Sequence, residues 1–177
     1  MTPDRHLAVS GLLALGCGMT WRSPEAAVVA LAAGTALDLD HLLDYSWNRS
    51  GRFTPARFVR MCAQFRLDRL YLLAHSLEWI IPFLAWSWLA EGPAWLKAAG
   101  LGLGSHIFMD MAGNGMRPMT YFFLYRWRAG FDSRKLVGLL PPEAIAYWGS
   151  YEAYLERRRK KPVSRIASRG IKTIRNP

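Results

Sequence analysis

The sequence predicts an all-α fold, an integral-membrane bundle of about four core helices with additional interfacial helices. Three observations carry this. Apolar residues make up 51% of the 177 positions and gather in long runs before residue 125, while the remainder is strongly basic. The run Leu70–Ala90 carries only His75 and Glu78 as ionisable groups, and a helix needs about 20 such residues to cross a bilayer. Two further apolar segments are rich in Gly and Ala (Gly11, Gly16, Gly18, then Ala26, Ala27, Ala30, Ala32, Ala33, Gly34), as closely approaching membrane helices are. A mean hydropathy of +0.02 averages over this division.

A first helix is predicted over Pro3 to Thr20 and a second over Pro24 to Leu39. Between them Ser23 suits an N-cap, Pro24 a first helical position and Glu25 the positive helix end. No small-residue cleavage pattern ends the first apolar run, so no cleaved leader is expected. Residues 42–69 form an Arg-rich connection in which Pro55 to Asp68 suits an amphipathic surface helix. The third helix is Leu70 to Ala90, broken by Glu91-Gly92-Pro93. The fourth is Ala94 to Met111, ended by Gly113-Asn114-Gly115. An aromatic segment, Met119 to Trp127, suits an interface, and Pro141-Pro142 opens a helix over Glu143 to Lys161. The expected organisation is a membrane-embedded site domain over 1–128, an interfacial helical extension over 129–161 and a basic, disordered tail over 162–177. Cys17 and Cys62 have no framework spacing, which gives neither a disulfide nor a Cys-based metal site.

The 4 histidines of the chain lie beside or inside the apolar segments. If the helices run up, down, up, down, His6, Asp38, Asp40, His41, His75, His106 and Asp110 all fall at one end of the bundle. His106 and Asp110, four apart, share a helix face. Asp38 and Asp40 can turn toward one point if the backbone unwinds at the helix end. Imidazole and carboxylate suit a divalent metal, Zn first and Mn or Fe next. Ionisable groups at membrane depth are costly, which makes them functional candidates. Each residue alone also has a plain structural explanation; their common end does not.

Of 23 Lys and Arg, only Arg22 and Lys97 lie in the turns at the opposite end. The positive-inside rule therefore puts the site in the cytoplasm. The basic tail, Arg157 to Lys161 with Arg165, Arg169, Lys172 and Arg175, suits anionic lipid. No nucleic-acid recognition motif accompanies the net charge of +10.

Four segments carry a resemblance: His6, the stretch GTALDLDH (Gly34 to His41), AHS (Ala74 to Ser76) and SHIFMD (Ser105 to Asp110). In order and spacing they resemble the bacterial family of predicted inner-membrane metal-dependent hydrolases, over about residues 1 to 125. The last motif is also similar to the His-x-x-x-Asp helix of zinc-dependent phospholipase C. The chain departs in having Leu37 where members often have Pro, and no His shortly before the AHS motif, where Asp68 and Arg69 stand. The resemblance implies a multi-pass protein of the bacterial inner membrane and a hydrolytic reaction class. The expected reaction is hydrolysis of a phosphoester in a lipid or lipid-linked substrate at the cytoplasmic leaflet. His41, His75, His106 and Asp110 are the leading metal ligands, followed by Asp38, Asp40 and His6. Asp40 or Glu78 would take the proton of water, and Arg66, Arg69 or Arg117 would hold the phosphate. The alternatives are a non-enzymatic membrane interaction or remodelling protein with a metal or polar clamp, and a transporter.

Overall fold

A computed structural model describes residues 3–48, 53–64 and 66–138, with positions 145, 146, 149 and 156. Among the described residues the regular structure is helical, apart from two isolated bridges, Arg69 with Asp132 and Met116 with Val137. The first two helices, α1 (Pro3–Trp21) and α2 (Pro24–Ala36), form the expected hairpin. The Ser23 hydroxyl accepts from the Ala26 amide at 3.1 Å, ahead of Pro24. The backbone tightens into a 3₁₀ turn at Leu37–Leu39 and resumes as α3 (Asp40–Trp47). The continuous helical stretch Pro24–Trp47 has 24 residues and a mean hydropathy of 1.5 over its apolar window. Among the described residues it alone is both long and apolar enough to cross a membrane. Then follow α4 (Pro55–Ala63), α5 (Leu77–Leu89), α6 (Ala94–Gly113), a second 3₁₀ turn at Pro118–Tyr121, α7 (Phe123–Arg128) and α8 (Ser133–Leu136).

Helix α6 is the centre of the bundle, packing against α2, α1 and α5. Small residues set that packing, but across α2 and α6 more than within the first hairpin. Gly11 and Gly16 face open space, whereas Gly18 meets Ala27. A Cβ on Gly102 of α6 would lie 2.6 Å from the Ala30 carbonyl oxygen and 3.0 Å from the Gly34 nitrogen. Backbone cannot yield as a side chain does. Gly102→Ala therefore gains about 1 kcal/mol of helix propensity but loses about 1–3 kcal/mol to overpacking. A net fall in melting temperature is expected by circular dichroism; a rise would show that the helices are not in backbone contact there.

The third helix begins later than its sequence suggests. Residues 71–76 are not helical, and α5 starts at Leu77. The reason lies in three polar side chains. The buried Asp44 carboxylate accepts from the Tyr71 amide at 3.0 Å and the Leu72 amide at 3.3 Å. Asp40 Oδ2 accepts from the Ala74 amide at 2.7 Å and the His75 amide at 3.3 Å. The Arg126 guanidinium, fully buried, donates to the carbonyls of Tyr71 (2.9 Å), Leu72 (2.8 Å), His75 (3.2 Å) and Thr120 (2.6 Å) and to Ser76 Oγ (2.6 Å). These bonds satisfy the backbone that a helix would have satisfied itself. They also hold Leu72 at φ +46°, a left-handed conformation unfavourable for a residue with a Cβ. With 13 residues, α5 is about 20 Å long, short of the roughly 30 Å hydrocarbon layer.

By its contacts the chain divides into a unit of residues 1–141 and one of 142–177. The stretch after residue 128, expected to begin an interfacial extension, belongs in part to the first unit. There Leu136 and Val137 pack with Tyr45, Leu67, Leu70 and Leu72. The expected helix over 143–161, apart from helical positions 145, 146, 149 and 156, and the basic tail over 162–177 lie outside the described residues. The helices of the first unit leave large apolar side chains outward, among them Leu12 (71% exposed), Met19 (79%), Trp86 (55%) and Leu89 (83%).

Candidate metal centre

The alternation of helix directions brings His6, Asp38, Asp40, His41, His75, His106 and Asp110 together at one end of the bundle. His6 comes from the first turns of α1, and Asp38 from the 3₁₀ turn after α2. Asp40 and His41 open α3, His75 ends the segment before α5, and His106 and Asp110 lie near the end of α6. His6, His75, His106, Asp40 and Asp110 are buried; Asp38 and His41 are partly exposed.

At the centre are four potential ligand atoms. His75 Nε2 and His106 Nε2 are 3.3 Å apart. Asp110 Oδ2 lies 3.7 Å from the first and 3.5 Å from the second, and Asp38 Oδ1 lies 3.5 Å from His106 Nε2. The other nitrogen of each ring is committed. His106 Nδ1 donates to the Gly34 carbonyl at 2.8 Å, and His75 Nδ1 donates to Asp40 Oδ2 at 3.3 Å. Those bonds set the tautomers, so in the neutral rings both Nε2 atoms present lone pairs. Two lone pairs and two carboxylate oxygens thus face one another in a largely buried space. Such a set repels itself unless a proton or a cation lies among them. The spacing fits one: ligands 2.0–2.1 Å from Zn in a tetrahedron stand about 3.3–3.4 Å apart. The donor set, imidazole nitrogen with carboxylate oxygen, is that of Zn, Mn or Fe.

The surrounding residues hold this set in place. His6 Nε2 donates to Asp110 Oδ1 at 3.0 Å, and its ring stacks on His106 with centroids 4.0 Å apart. Asp110 Oδ2 is the oxygen turned toward His75 and His106. His6 is also within reach of a site formed with His106 and Asp110, and Asp38, His41 and His75 form a second close group. His41 Nε2 stands 3.9 Å from Asp38 Oδ1. The two acids near the end of α2 therefore divide their work, Asp38 toward His106 and Asp40 toward His75. The change from α to 3₁₀ winding at Leu37–Leu39 accompanies this split, since residues two apart on a regular α-helix face different ways.

A cavity of about 370 Å³ adjoins the cluster. Asp38, His41, His75 and Asp110 line one end. Several expected residues are elsewhere. Glu78 is not brought into the cluster; its carboxylate oxygens accept from the Phe123 amide at 2.9 Å and the Leu124 amide at 3.1 Å, capping the start of α7. Asp40 is in the cluster but not on the cavity wall, being committed to the His75 segment. Arg66, Arg69 and Arg117 do not line the cavity either. Arg69 is exposed and Arg117 is exposed, each tied by its backbone, to Asn48 and to Leu136.

The residues that sequence reasoning missed are Arg5, Asn114 and Tyr121 on the cavity wall, and Asp44 and Arg126 behind the His75 segment. Burial pushes the Tyr121 hydroxyl above its ordinary range, with Asp110 adding to the effect, so it remains a donor. Burial likewise pushes the Cys62 thiol up to about 12, which leaves it a neutral wall residue and not a thiolate ligand.

Fold and centre together define a class: an all-α bundle whose helix ends present a buried His/Asp cluster to a cavity. No protein-family model, curated protein or solved structure matches the chain.

Proposed function

We propose that the protein is a membrane-bound, metal-dependent hydrolase acting on a phosphoester in a lipid or lipid-linked substrate. The observation that carries this reading is the meeting of His75 Nε2, His106 Nε2 and Asp110 Oδ2 at 3.3–3.7 Å beside an accessible cavity. His75, His106 and Asp110 would hold a divalent ion, Zn first, with Asp38 as a further ligand. When bound, such an ion supplies Lewis acidity, lowering the pKa of a water and offsetting charge on phosphoryl oxygens. His6, Asp40 and the Gly34 carbonyl orient the ligands. His41 lines the cavity, where Asp40 and Glu78 do not, and is the group positioned to accept a proton from an attacking water.

The stretch Pro24–Trp47 and the outward apolar side chains support a membrane setting. The exposed tryptophans Trp79, Trp86, Trp88, Trp95 and Trp127 suit the interfacial layers. Charge distribution favours an orientation with the site and C-terminus in the cytoplasm, and the family resemblance implies a bacterial inner membrane. A cavity lined by Arg5, Asp38, His41 and Asp110 suits a substrate presented at headgroup level.

The test is elemental analysis of the purified protein in lipid nanodiscs, followed by phosphodiesterase and phosphomonoesterase assays before and after chelation. About one equivalent of metal or more is expected, with turnover lost on chelation and restored by Zn or Mn. Folded protein without metal, inactive when either ion is added, sinks the proposal. Metal without turnover of any phosphoester points instead to a structural clamp.

A further inference from the structure

The cavity is two-sided in its chemistry. Toward the cluster its wall carries Arg5, Asn114 and Tyr121. Arg5 is the only Lys or Arg among the described residues lining it. The Tyr121 hydroxyl is buried and has the Asn114 side chain as its polar neighbour. Hydroxyl and amide both line the cavity and can donate to an acceptor placed there. An apolar part of the lining comes largely from α4 and the segment after it: Phe58, Val59, Met61, Leu67 and Leu70. Helix α4 keeps Arg57 and Arg60 exposed, away from that wall. Its inward residues Phe58 and Met61 join the buried cluster of Tyr45, Leu67 and Leu70.

Resting on the hydrolase reading above, we infer that this cavity binds a phosphoester through Arg5, Asn114 and Tyr121 and takes the first carbons of one aliphatic chain along the α4 wall. The size decides how much enters. At about 370 Å³ the cavity is near the small end of ligand sites, which run about 300–1,000 Å³. It accommodates a phosphate with the proximal part of a single chain and excludes a whole two-chain lipid. A positive residue with neutral donors fits a phosphate. A wall without polar side chains rewards each methylene placed on it. The substrate class is therefore a phosphoester bonded directly to an unbranched or isoprenoid-like chain, in preference to a water-soluble phosphoester.

Binding, not turnover, is the measurement. Zn-loaded full-length protein in nanodiscs is titrated with inorganic phosphate, butyl phosphate and octyl phosphate by calorimetry, with empty nanodiscs subtracted. Affinity is expected to rise from phosphate to butyl phosphate by up to about fourfold per buried methylene, then to level off toward octyl phosphate. Arg5→Ala weakens all three ligands about tenfold or more, and Arg5→Lys recovers part of the loss. Val59→Asp, at a half-exposed position that tolerates a charge without loss of core, removes the gain from chain length. Phe58→Ala provides the same readout should the Val59 variant accumulate poorly. Equal affinity for the three ligands overturns the inference, as does a chain-length gain that survives both wall variants or phosphate binding indifferent to Arg5. Chain-dependent binding without hydrolysis of any phosphoester supports the cavity and sinks the hydrolase. Hydrolysis with no chain dependence does the reverse.

Discussion

Arg126→Met is expected to destabilise the bundle by more than about 4 kcal/mol and to release the segment bearing His75. The guanidinium is fully buried and satisfies the carbonyls of Tyr71, Leu72, His75 and Thr120 and the Ser76 hydroxyl. Each group left buried without a partner costs about 1–3 kcal/mol, and losses above 4 kcal/mol are confined to changes of this kind. Methionine keeps much of the volume, so packing alone does not account for the effect. Arg126→Lys should recover only part, because an ammonium cannot span the fork of acceptors that a planar guanidinium reaches. Thermal unfolding in nanodiscs and limited proteolysis between residues 70 and 76 are the measurements. A loss of about 4 kcal/mol corresponds to roughly 8–16 °C for a chain of this size. A melting temperature within about 2 °C of the parent protein, with no new cleavage, would falsify the account.

His106→Ala is expected to have the largest effect on chemistry. His106 Nε2 is within 3.3–3.5 Å of His75, Asp110 and Asp38, so it touches every other atom of the proposed ligand set. The variant should purify without metal and lose about 10²–10³-fold in kcat, the scale for removing one electrostatic stabiliser of a transition state. Asp40→Asn supplies the contrast. Its carboxylate acts on His75 and not on the ion, and partners of that sort are worth about 10–100-fold in metal affinity. The amide retains an oxygen for the Ala74 amide, so the fold should persist. Metal content and competition with a chromogenic chelator distinguish the two. A His106→Ala protein that binds metal as tightly as the parent would place the ion elsewhere.

The sequence disclosed the cluster because its members are unusual for their surroundings. His6, His75, His106 and Asp110 stand in apolar runs where a polar residue needs a reason, and the alternating helix directions place them at one end. The spacing of His106 and Asp110 alone fixes a shared face. The path of residues 71–76 was hidden for the opposite reason. Tyr71, Leu72 and Leu73 extend the apolar run smoothly, and nothing local stops a helix there. The groups that stop it are distant: Asp40 and Asp44, four apart on α3, and Arg126 from α7. That pair of acids one turn apart was the available signal, together with an arginine amid Tyr125 and Trp127. The exchange of Arg66, Arg69 and Arg117 for Arg5 follows similarly. Proximity in the chain favoured the connecting segment, while the cavity is lined by Arg5 from the first turn of α1.

The contacts that close the centre are far apart along the chain. His6 meets Asp110 across 104 positions, and Leu72 meets Arg126 across 54. Closing such long loops is entropically costly and occurs late in folding. An emerging polypeptide therefore has no complete receptor for an ion until α7 has been synthesised and has docked. On the proposed metal reading, an ion would be captured only after that docking, and the first hairpin would have to persist until then without it.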